Sequence, residues 1–162
     1  LLLKMKVKLV LDASSFSIME KDLNNFMYLL SKRSSKTILT PHLGEFKKIF
    51  TVSNNKIEDT KKAALKANSI VLFKGNDTTI SSPKGKTFIN YFSSPYLATA
   101  GSGDVLSGII ASFLTQNYDP IIATTIACYV HSQSAIEINK SLSAKDIIDV
   151  LPLIIQKNYK IN

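Results

Sequence analysis

The sequence predicts one α/β domain, a three-layer α/β/α sandwich in which helices cover both faces of a sheet. Strand patterns alternate with helical patterns along the chain, which is typical of a parallel sheet. Residues 69–74 contain the unbroken apolar run 70–73, as expected for a strand buried on both faces. Polar residues collect where the strand patterns end, and such sheets bind ligands at that edge.

The first strand is predicted at residues 6–12, which alternate and then run apolar toward Asp12. A helix follows at 23–32, where apolar residues recur at helical spacing. The next strand, 37–40, is short because Pro41 stops it, and a helix at 44–50 begins directly after that loop.

A surface helix is predicted at 57–67, before the buried strand. Two further strands, 78–81 and 87–91, flank Pro83-Lys84-Gly85, which is a hairpin signal.

Three helices complete the chain. The first, 103–116, opens at a glycine-rich turn; the second, 119–139, is long and apolar, which indicates burial; the third is predicted at 143–155. No internal repeat or interdomain linker is evident, so the 162 residues are expected to form one domain.

Composition excludes several function classes. The net charge is +8, but nineteen of the twenty basic residues are Lys and only Arg33 is Arg, without interleaved aromatics. Nucleic-acid readers favour the guanidinium group, so no nucleic-acid partner is expected. A single cysteine, Cys128, excludes an internal disulfide and a multi-cysteine metal site. No apolar run reaches the length of a membrane span, so a cytoplasmic protein without a membrane partner is expected.

The run Gly101-Ser102-Gly103-Asp104 carries the clearest chemical signal. Glycines let backbone N–H groups converge on an anion, and a helix N-terminus adds further donors, so phosphate is the expected ligand. A carboxylate beside phosphate makes sense if Asp104 removes a proton from the hydroxyl that attacks a phosphoryl group. The alternative is that Asp104 only caps the helix.

The surrounding residues resemble a known family. Residues 97–110 resemble the phosphate-binding signature of ribokinase-like kinases, and more closely the Leu-Ala-Thr-x-Gly-(Thr/Ser)-Gly-Asp-Val-Leu run of ADP/ATP-dependent NAD(P)H-hydrate dehydratases. Residues 39–46 resemble that family's Thr-Pro-His-Pro-Gly-Glu motif, with Leu43 where the second proline is common. Residues 71–78 resemble its strand ending in Lys-Gly-x-x-Thr. Residues 10–13 fit its Asp-Ala strand end, although Ser14 replaces the usual second aspartate.

The resemblance implies a ribokinase-like fold without its N-terminal βα units. Residues 1–162 are then a single, N-terminally truncated dehydratase domain, corresponding to about the C-terminal three-fifths of the family's domain. A fragment, one piece of a split gene and a degraded copy all fit a chain that begins at Leu1. A homo-oligomer, or a separate N-terminal piece, is the expected protein partner.

The resemblance also implies the site residues. Asp104 is the expected catalytic base. Substrate binding is expected at His42, Gly44, Glu45 and Asp104. Nucleotide binding is expected at Lys74, Gly75, Asn76, Asp77, Thr78, Thr99, Gly101, Ser102 and Gly103. ADP or ATP is the implied co-substrate, and Mg²⁺ is expected only with the nucleotide, without protein metal ligands.

Structural alternatives stand beside several of these roles. His42 fits a loop histidine bonded to backbone, and Glu45 is favourable at a helix N-terminus through charge alone. Lys74 is a buried-strand lysine that either meets a phosphate or extends to water. Thr99 is expected either to help bind phosphate or only to hydrogen-bond to the preceding turn. His131, on an apolar helix, is interpreted as a core histidine and left out of the catalytic set.

The expected function is an ADP-dependent dehydratase that repairs hydrated NADH and NADPH, releasing AMP and phosphate. Two alternatives stay open. One is a small-metabolite kinase of the same superfamily, such as a hydroxyethylthiazole kinase. The other is a non-catalytic remnant of the dehydratase.

Overall fold

Five strands form one mixed sheet in the computed structural model, which describes residues 2–158. In spatial and chain order they are β1 (Leu9–Leu11), β2 (Thr37–Leu39), β3 (Ile70–Phe73), β4 (Thr78–Ser81) and β5 (Thr87–Asn90). Strands β1, β2 and β3 are parallel. Strands β4 and β5 form the predicted hairpin, which makes β4 antiparallel to both of its neighbours. The parallel sheet predicted from strand–helix alternation is therefore correct for its first three strands.

Seven α-helices connect or follow these strands within residues 2–158. They are α1 (Ser14–Lys21), α2 (Leu23–Ser31), α3 (Leu43–Ile49), α4 (Lys56–Ala67), α5 (Ser102–Thr115), α6 (Pro120–Ile138) and α7 (Ala144–Asn158). Short 3₁₀ turns lie at Leu2–Lys4 and Pro95–Leu97. Helix α1 is absent from the sequence prediction, because its eight residues include only three apolar positions and show no extended stripe.

The sheet separates two apolar cores. Leu39 and Val71 pack with helices α1–α4, whereas Ile38 and Leu72 pack with α5 and α6 on the opposite face. This alternation follows from the two-residue period of a strand, and both β2 and β3 are buried over their whole length. The predicted three-layer sandwich is confirmed, and the run at 69–74 contains a buried strand.

One edge of the sheet gathers the polar residues. Strands β1, β2, β3 and β5 end at this edge. The residues that directly follow these strands are, in the same order, Asp12, Thr40, Lys74 and Tyr91. Helices α3 and α5 begin in the same region, since their first turns contact residues from this edge. None of the helices within residues 2–158 combines the length and the hydropathy that crossing a membrane requires.

Candidate active site

Helix α5 begins at a turn that exposes backbone donors. Gly101 is the N-cap and has a φ of 81°, in the left-handed region that favours glycine. The Ser102 amide donates to the Thr99 carbonyl oxygen at 3.3 Å and closes the turn. The first amides of a helix have no acceptor within it, so those of Gly103 and Asp104 are available to an anion. This turn, residues 101–104, is called the anion nest below.

Asp104 is the third residue of α5 and lies exposed on its first turn. The hypothesis that it caps the helix is wrong, because Gly101 occupies the N-cap position and no side chain caps this helix. Within residues 2–158, the Asp104 carboxylate has neither a hydrogen-bond nor an ion-pair partner. A partnerless carboxylate at this position is free to accept a proton from a ligand.

A second carboxylate lies against the anion nest. Asp12 Oδ1 accepts a hydrogen bond from Lys74 Nζ at 2.9 Å, and Asp12 Oδ2 accepts one from Ser107 Oγ at 3.2 Å. A Cβ atom added to Gly103 would lie 3.3 Å from Asp12 Oδ2 and 3.6 Å from Lys74 Nζ. The sequence analysis places Asp12 at a strand end but assigns it no role. Its partners, Lys74 and Ser107, are distant in the sequence, and no residue near Asp12 in the chain indicates them.

Lys74 Nζ is paired with carboxylates. Its Nζ also lies 3.8 Å from Glu45 Oε2, and the three side chains are between 13% and 22% exposed. One ammonium between two carboxylates leaves a net charge of −1. Lys74 therefore reduces, but does not cancel, the negative potential that the two carboxylates place beside the anion nest.

Helix α3 begins with a reciprocal cap. His42 Nδ1 accepts hydrogen bonds from the backbone amides of Gly44 (3.0 Å) and Glu45 (3.3 Å), while Glu45 Oε2 accepts from the His42 amide at 2.9 Å. The expectations of a backbone-bonded histidine and a helix-stabilising glutamate agree with this geometry. Because Nδ1 is an acceptor, the neutral ring carries its proton on Nε2, and the imidazole is 59% exposed. Its Nε2 lies 3.5 Å from Glu45 Oε1, so the same glutamate contacts the ring as well as the His42 backbone.

A tight turn follows Lys74. The Gly75 amide donates to Thr78 Oγ1 at 3.2 Å, and the same hydroxyl donates to the Gly75 carbonyl oxygen at 2.8 Å. Asp77 Oδ1 accepts a hydrogen bond from Lys56 Nζ at 2.6 Å beside Gly75, and this bond lowers the Asp77 pKa. The turn therefore presents backbone and hydroxyl groups, whereas the Asp77 carboxylate is already engaged.

A cavity of about 620 Å³ unites most of the predicted residues. Those that line it are His42, Lys74, Gly75, Asn76, Thr78, Thr99, Ser102 and Gly103. Gly44, Glu45, Asp77, Gly101 and Asp104 lie next to lining residues without being part of its wall. Asp104 instead lines a second cavity, of about 700 Å³, between α5 and α7. The first is called the nest cavity and the second the α5–α7 groove.

His131 contacts the anion nest through Ser102. Its Nε2 lies 3.0 Å from the Ser102 carbonyl oxygen and 3.1 Å from Ser102 Oγ. Since a carbonyl can only accept, Nε2 carries the proton. Burial lowers the His131 pKa to about 4, so the ring is neutral near pH 7. The core interpretation is correct about burial but misses this contact, which joins residues on two helices.

Asn90, which the sequence analysis does not mention, links two residues that line the nest cavity, Phe92 and Ser132. Its Nδ2 donates to Ser132 Oγ at 2.8 Å and to the Phe92 carbonyl oxygen at 3.0 Å. Cys128 lies nearby in the core, as predicted, and burial raises the pKa of its thiol to about 12. The thiol is therefore protonated and unreactive at neutral pH.

Across residues 2–158, no group of three or more His, Cys, Asp or Glu side chains is placed to hold a metal ion.

Comparison with known proteins identifies the relatives of this arrangement. A family model for NAD(P)H-hydrate dehydratase matches residues 1–157. The bifunctional NAD(P)H-hydrate repair enzyme Nnr of Moorella thermoacetica is 31% identical over 166 residues, which span 96% of this chain and 31% of that protein. The Bacillus subtilis ADP/ATP-dependent NAD(P)H-hydrate dehydratase, co-crystallized with ATP/Mg²⁺, superposes with a TM-score of 0.85 at 28% identity.

The B. subtilis match covers 97% of this chain and 57% of the solved chain. A ribokinase-like superfamily protein from Enterococcus faecalis superposes with a TM-score of 0.77 at 27% identity, over 91% of this chain and 52% of that one. These similarities confirm the ribokinase-like fold. The chain spans about a third of the Moorella protein and somewhat over half of the solved chains.

Proposed function

The chain belongs to the NAD(P)H-hydrate dehydratase family, and we propose that it restores NADH and NADPH from their hydrated forms with ADP as phosphoryl donor. AMP and phosphate are the other products. The observation that carries the proposal is the first turn of α5, where free backbone amides lie beside the partnerless carboxylate of Asp104. An anion cradle adjacent to a base is what transfer of a phosphoryl group to a hydroxyl requires.

The reaction has two stages. Asp104 accepts the proton of the ring hydroxyl, the hydroxyl oxygen bonds to the terminal phosphorus of ADP, and the bond from that phosphorus to AMP breaks. The ring C–O bond then breaks as phosphate departs, and the neighbouring ring carbon loses a proton to form the double bond. Phosphate is a far better leaving group than hydroxide, which explains why a nucleotide is consumed.

The nest supplies electrostatic stabilisation for the first stage. The Gly103 and Asp104 amides point toward the position of the transferring phosphoryl oxygens, where their dipoles stabilise the negative charge. Lys74, held by Asp12 at 2.9 Å, reduces the repulsion between the neighbouring carboxylates and that charge.

Mg²⁺ enters with the nucleotide. Phosphate oxygens and water suit its preference for hard oxygen ligands, which fits a site without a three-carboxylate cluster in residues 2–158. When bound it neutralises phosphate charge.

His42 and Glu45 are the proposed contacts for the hydrated nicotinamide dinucleotide. The exposed Nε2–H of His42, which lies 3.5 Å from Glu45 Oε1, would exchange that contact for a carbonyl or phosphate oxygen of the substrate, and Glu45 keeps the ring oriented through the reciprocal cap. We place the reaction in the cytoplasm, as the composition predicts.

The test is recovery of NADH. The chain is incubated with hydrated NADH, Mg²⁺ and ADP or ATP, while NADH absorbance, AMP or ADP, and phosphate are followed. One NADH and one phosphate per nucleotide consumed is the expected result. Asp104→Asn is the matched variant: we expect turnover to fall by roughly a hundredfold to ten-thousandfold, with nucleotide affinity and unfolding free energy near the wild-type values.

Each alternative gives a different result. A phosphorylated hydrate without NADH would indicate a kinase. Nucleotide binding by a folded chain without turnover would indicate a non-catalytic remnant. Full activity in Asp104→Asn would remove Asp104 from the role of base.

A further inference from the structure

We propose that Lys56 is a positioning residue for the nucleotide: it holds Asp77 and thereby fixes the turn at residues 75–78, against which the nucleotide binds. This inference rests on the proposed function, because it takes a nucleotide to occupy the nest cavity. Lys56 itself does not line that cavity, whereas Gly75 and Asn76 do. Lys56 therefore acts on the ligand through the turn, which is called the 75–78 turn below.

The position of Lys56 in α4 is unfavourable for the helix alone. Lys56 is the first residue of α4, and a positive charge at a helix N-terminus opposes the helix dipole. Another residue caps this helix, since the Asn55 side chain accepts a hydrogen bond from the Glu58 amide at 3.1 Å. Lysine side chains are rarely buried, yet that of Lys56 is only 20% exposed. Contacts outside α4 must therefore account for its orientation.

Three groups surround the Lys56 ammonium at the carboxyl end of β3. Its Nζ donates to Asp77 Oδ1 at 2.6 Å and lies 4.8 Å from the centroid of the Phe73 ring, a cation–π distance. A Cβ atom added to Gly75 would lie 2.5 Å from the same Nζ, so the ammonium fills the space that a side chain at this position would need. The ammonium therefore packs directly against the 75–78 turn.

The bond from Lys56 connects the 75–78 turn to α4. Asp77 is 58% exposed, and among the described residues no other side chain bonds its carboxylate. The preceding residue, Asn76, lines the nest cavity, and its side chain has no hydrogen-bond partner within residues 2–158. A ligand therefore meets a free amide group whose neighbour in the chain is anchored by Lys56. Releasing Asp77 lets that amide group move, which costs affinity because the ligand must then order it.

The competing explanation is that Lys56 attracts phosphate as a point charge. Charge attraction and positioning differ in what they predict for Asp77. A point charge at Lys56 would act more strongly once the opposite charge of Asp77 is removed, so the two substitutions would have opposite effects on nucleotide affinity. Positioning requires both partners, so either substitution weakens binding.

Calorimetric titration with ATP and Mg²⁺ separates these explanations. Dissociation constants are measured at low and at high salt for the wild-type chain, Lys56→Met, Asp77→Ala and the double variant; methionine keeps an apolar stem without the charge. Lys56→Arg is the conservative variant. Lys61→Met is the matched control, because Lys61 pairs with Glu58 at 2.9 Å on the same helix and does not line the nest cavity. Thermal unfolding reports whether each variant is folded.

We expect Lys56→Met and Asp77→Ala each to weaken ATP binding by roughly 2- to 30-fold, the range for a residue that acts on a site without contacting the ligand. The double variant should bind no more weakly than the weaker single variant, because both substitutions break the same contact. These losses should persist at high salt, where charge attraction is screened. Lys56→Arg should retain most of the affinity, and Lys61→Met should leave it unchanged.

Three results would overturn the inference. Opposite effects of Lys56→Met and Asp77→Ala that disappear at high salt would show that Lys56 acts as a point charge. Unchanged ATP affinity together with a lower unfolding temperature would show a purely structural role. Additive losses in the double variant would show that the two residues act independently.

Two further outcomes concern the proteins themselves. If Lys56→Met does not fold, Asp77→Ala decides the question at both salt concentrations, since it breaks the same contact at an exposed residue. Failure of the wild-type chain to bind ATP would instead overturn the proposed function, and this inference with it.

Discussion

Acidification should destabilise the chain through His131 in particular. Burial lowers the pKa of this imidazole from 6.5 to about 4, while its Nε2 remains bonded to the Ser102 carbonyl oxygen at 3.0 Å. The unfolded chain binds a proton near pH 6.5, whereas the folded chain resists protonation until about pH 4. The stabilising contribution of neutral His131 is therefore complete above pH 6.5 and is lost as the pH falls toward 4.

The size of this effect follows from the shift. A change from 6.5 to about 4 is some 2.5 pKa units, and each unit is worth about 1.4 kcal/mol, so the loss is about 3 kcal/mol at pH 4. A loss of this size is a large share of the 5–15 kcal/mol that is typical of folded domains. It should also be visible functionally, because a charged imidazolium would disrupt the turn that carries the anion nest.

Urea unfolding of wild type and His131→Gln at pH 7, 6, 5 and 4 measures the effect. The variant loses the titrating group, and carboxylates elsewhere titrate in both proteins, so their contribution cancels in the difference. The wild-type unfolding free energy should fall about 3 kcal/mol more than that of His131→Gln between pH 7 and pH 4. Parallel pH profiles would show that His131 titrates normally, and would refute the argument from burial.

Two further substitutions test the surroundings of the anion nest. Gly103→Val should weaken binding of both ATP and tripolyphosphate, because even a Cβ atom would lie 3.3 Å from Asp12 Oδ2 and the γ-methyl groups crowd the nest further; calorimetry measures this, and unchanged affinities would show that no phosphate lies there. Asp12→Asn should strengthen tripolyphosphate binding, more so at low salt, because it removes a negative charge beside the nest and leaves Lys74 paired only with Glu45 at 3.8 Å. Weaker binding in Asp12→Asn would mean instead that Asp12 holds Lys74 in its phosphate-binding position.

The elements that the sequence predicts well are those with a local signal. The spacing of apolar residues, with glycine and proline at the ends of elements, predicts the bounds of the five strands and of six of the seven helices to within about three residues. These patterns depend only on residues that are close together in the sequence. Helix α1 is not predicted because it has only eight residues, three of them apolar, which is too few for a recurring stripe. The glycine-rich turn was found for the same local reason, as its residues are adjacent in the chain.

The contacts that build the site behave differently, because they join distant parts of the chain. Asp12 meets Lys74 across 62 residues and Ser107 across 95, and His131 meets Ser102 across 29. No period or motif at either position indicates its partner. The sequence analysis thus placed Lys74 at the sheet edge but expected phosphate or water around it, where the structure has two carboxylates.

The sequence places the Asp104 carboxylate directly beside a predicted phosphate site, where the two negative charges would repel each other. The orientation of the first turn of α5 reduces this repulsion. Gly103 lines the nest cavity, whereas Asp104 lines the α5–α7 groove. Successive helical residues point about 100° apart, so these two neighbours face different spaces although their backbone amides lie side by side. A phosphate in the nest would contact the amides without facing the Asp104 carboxylate directly, which limits the repulsion between them.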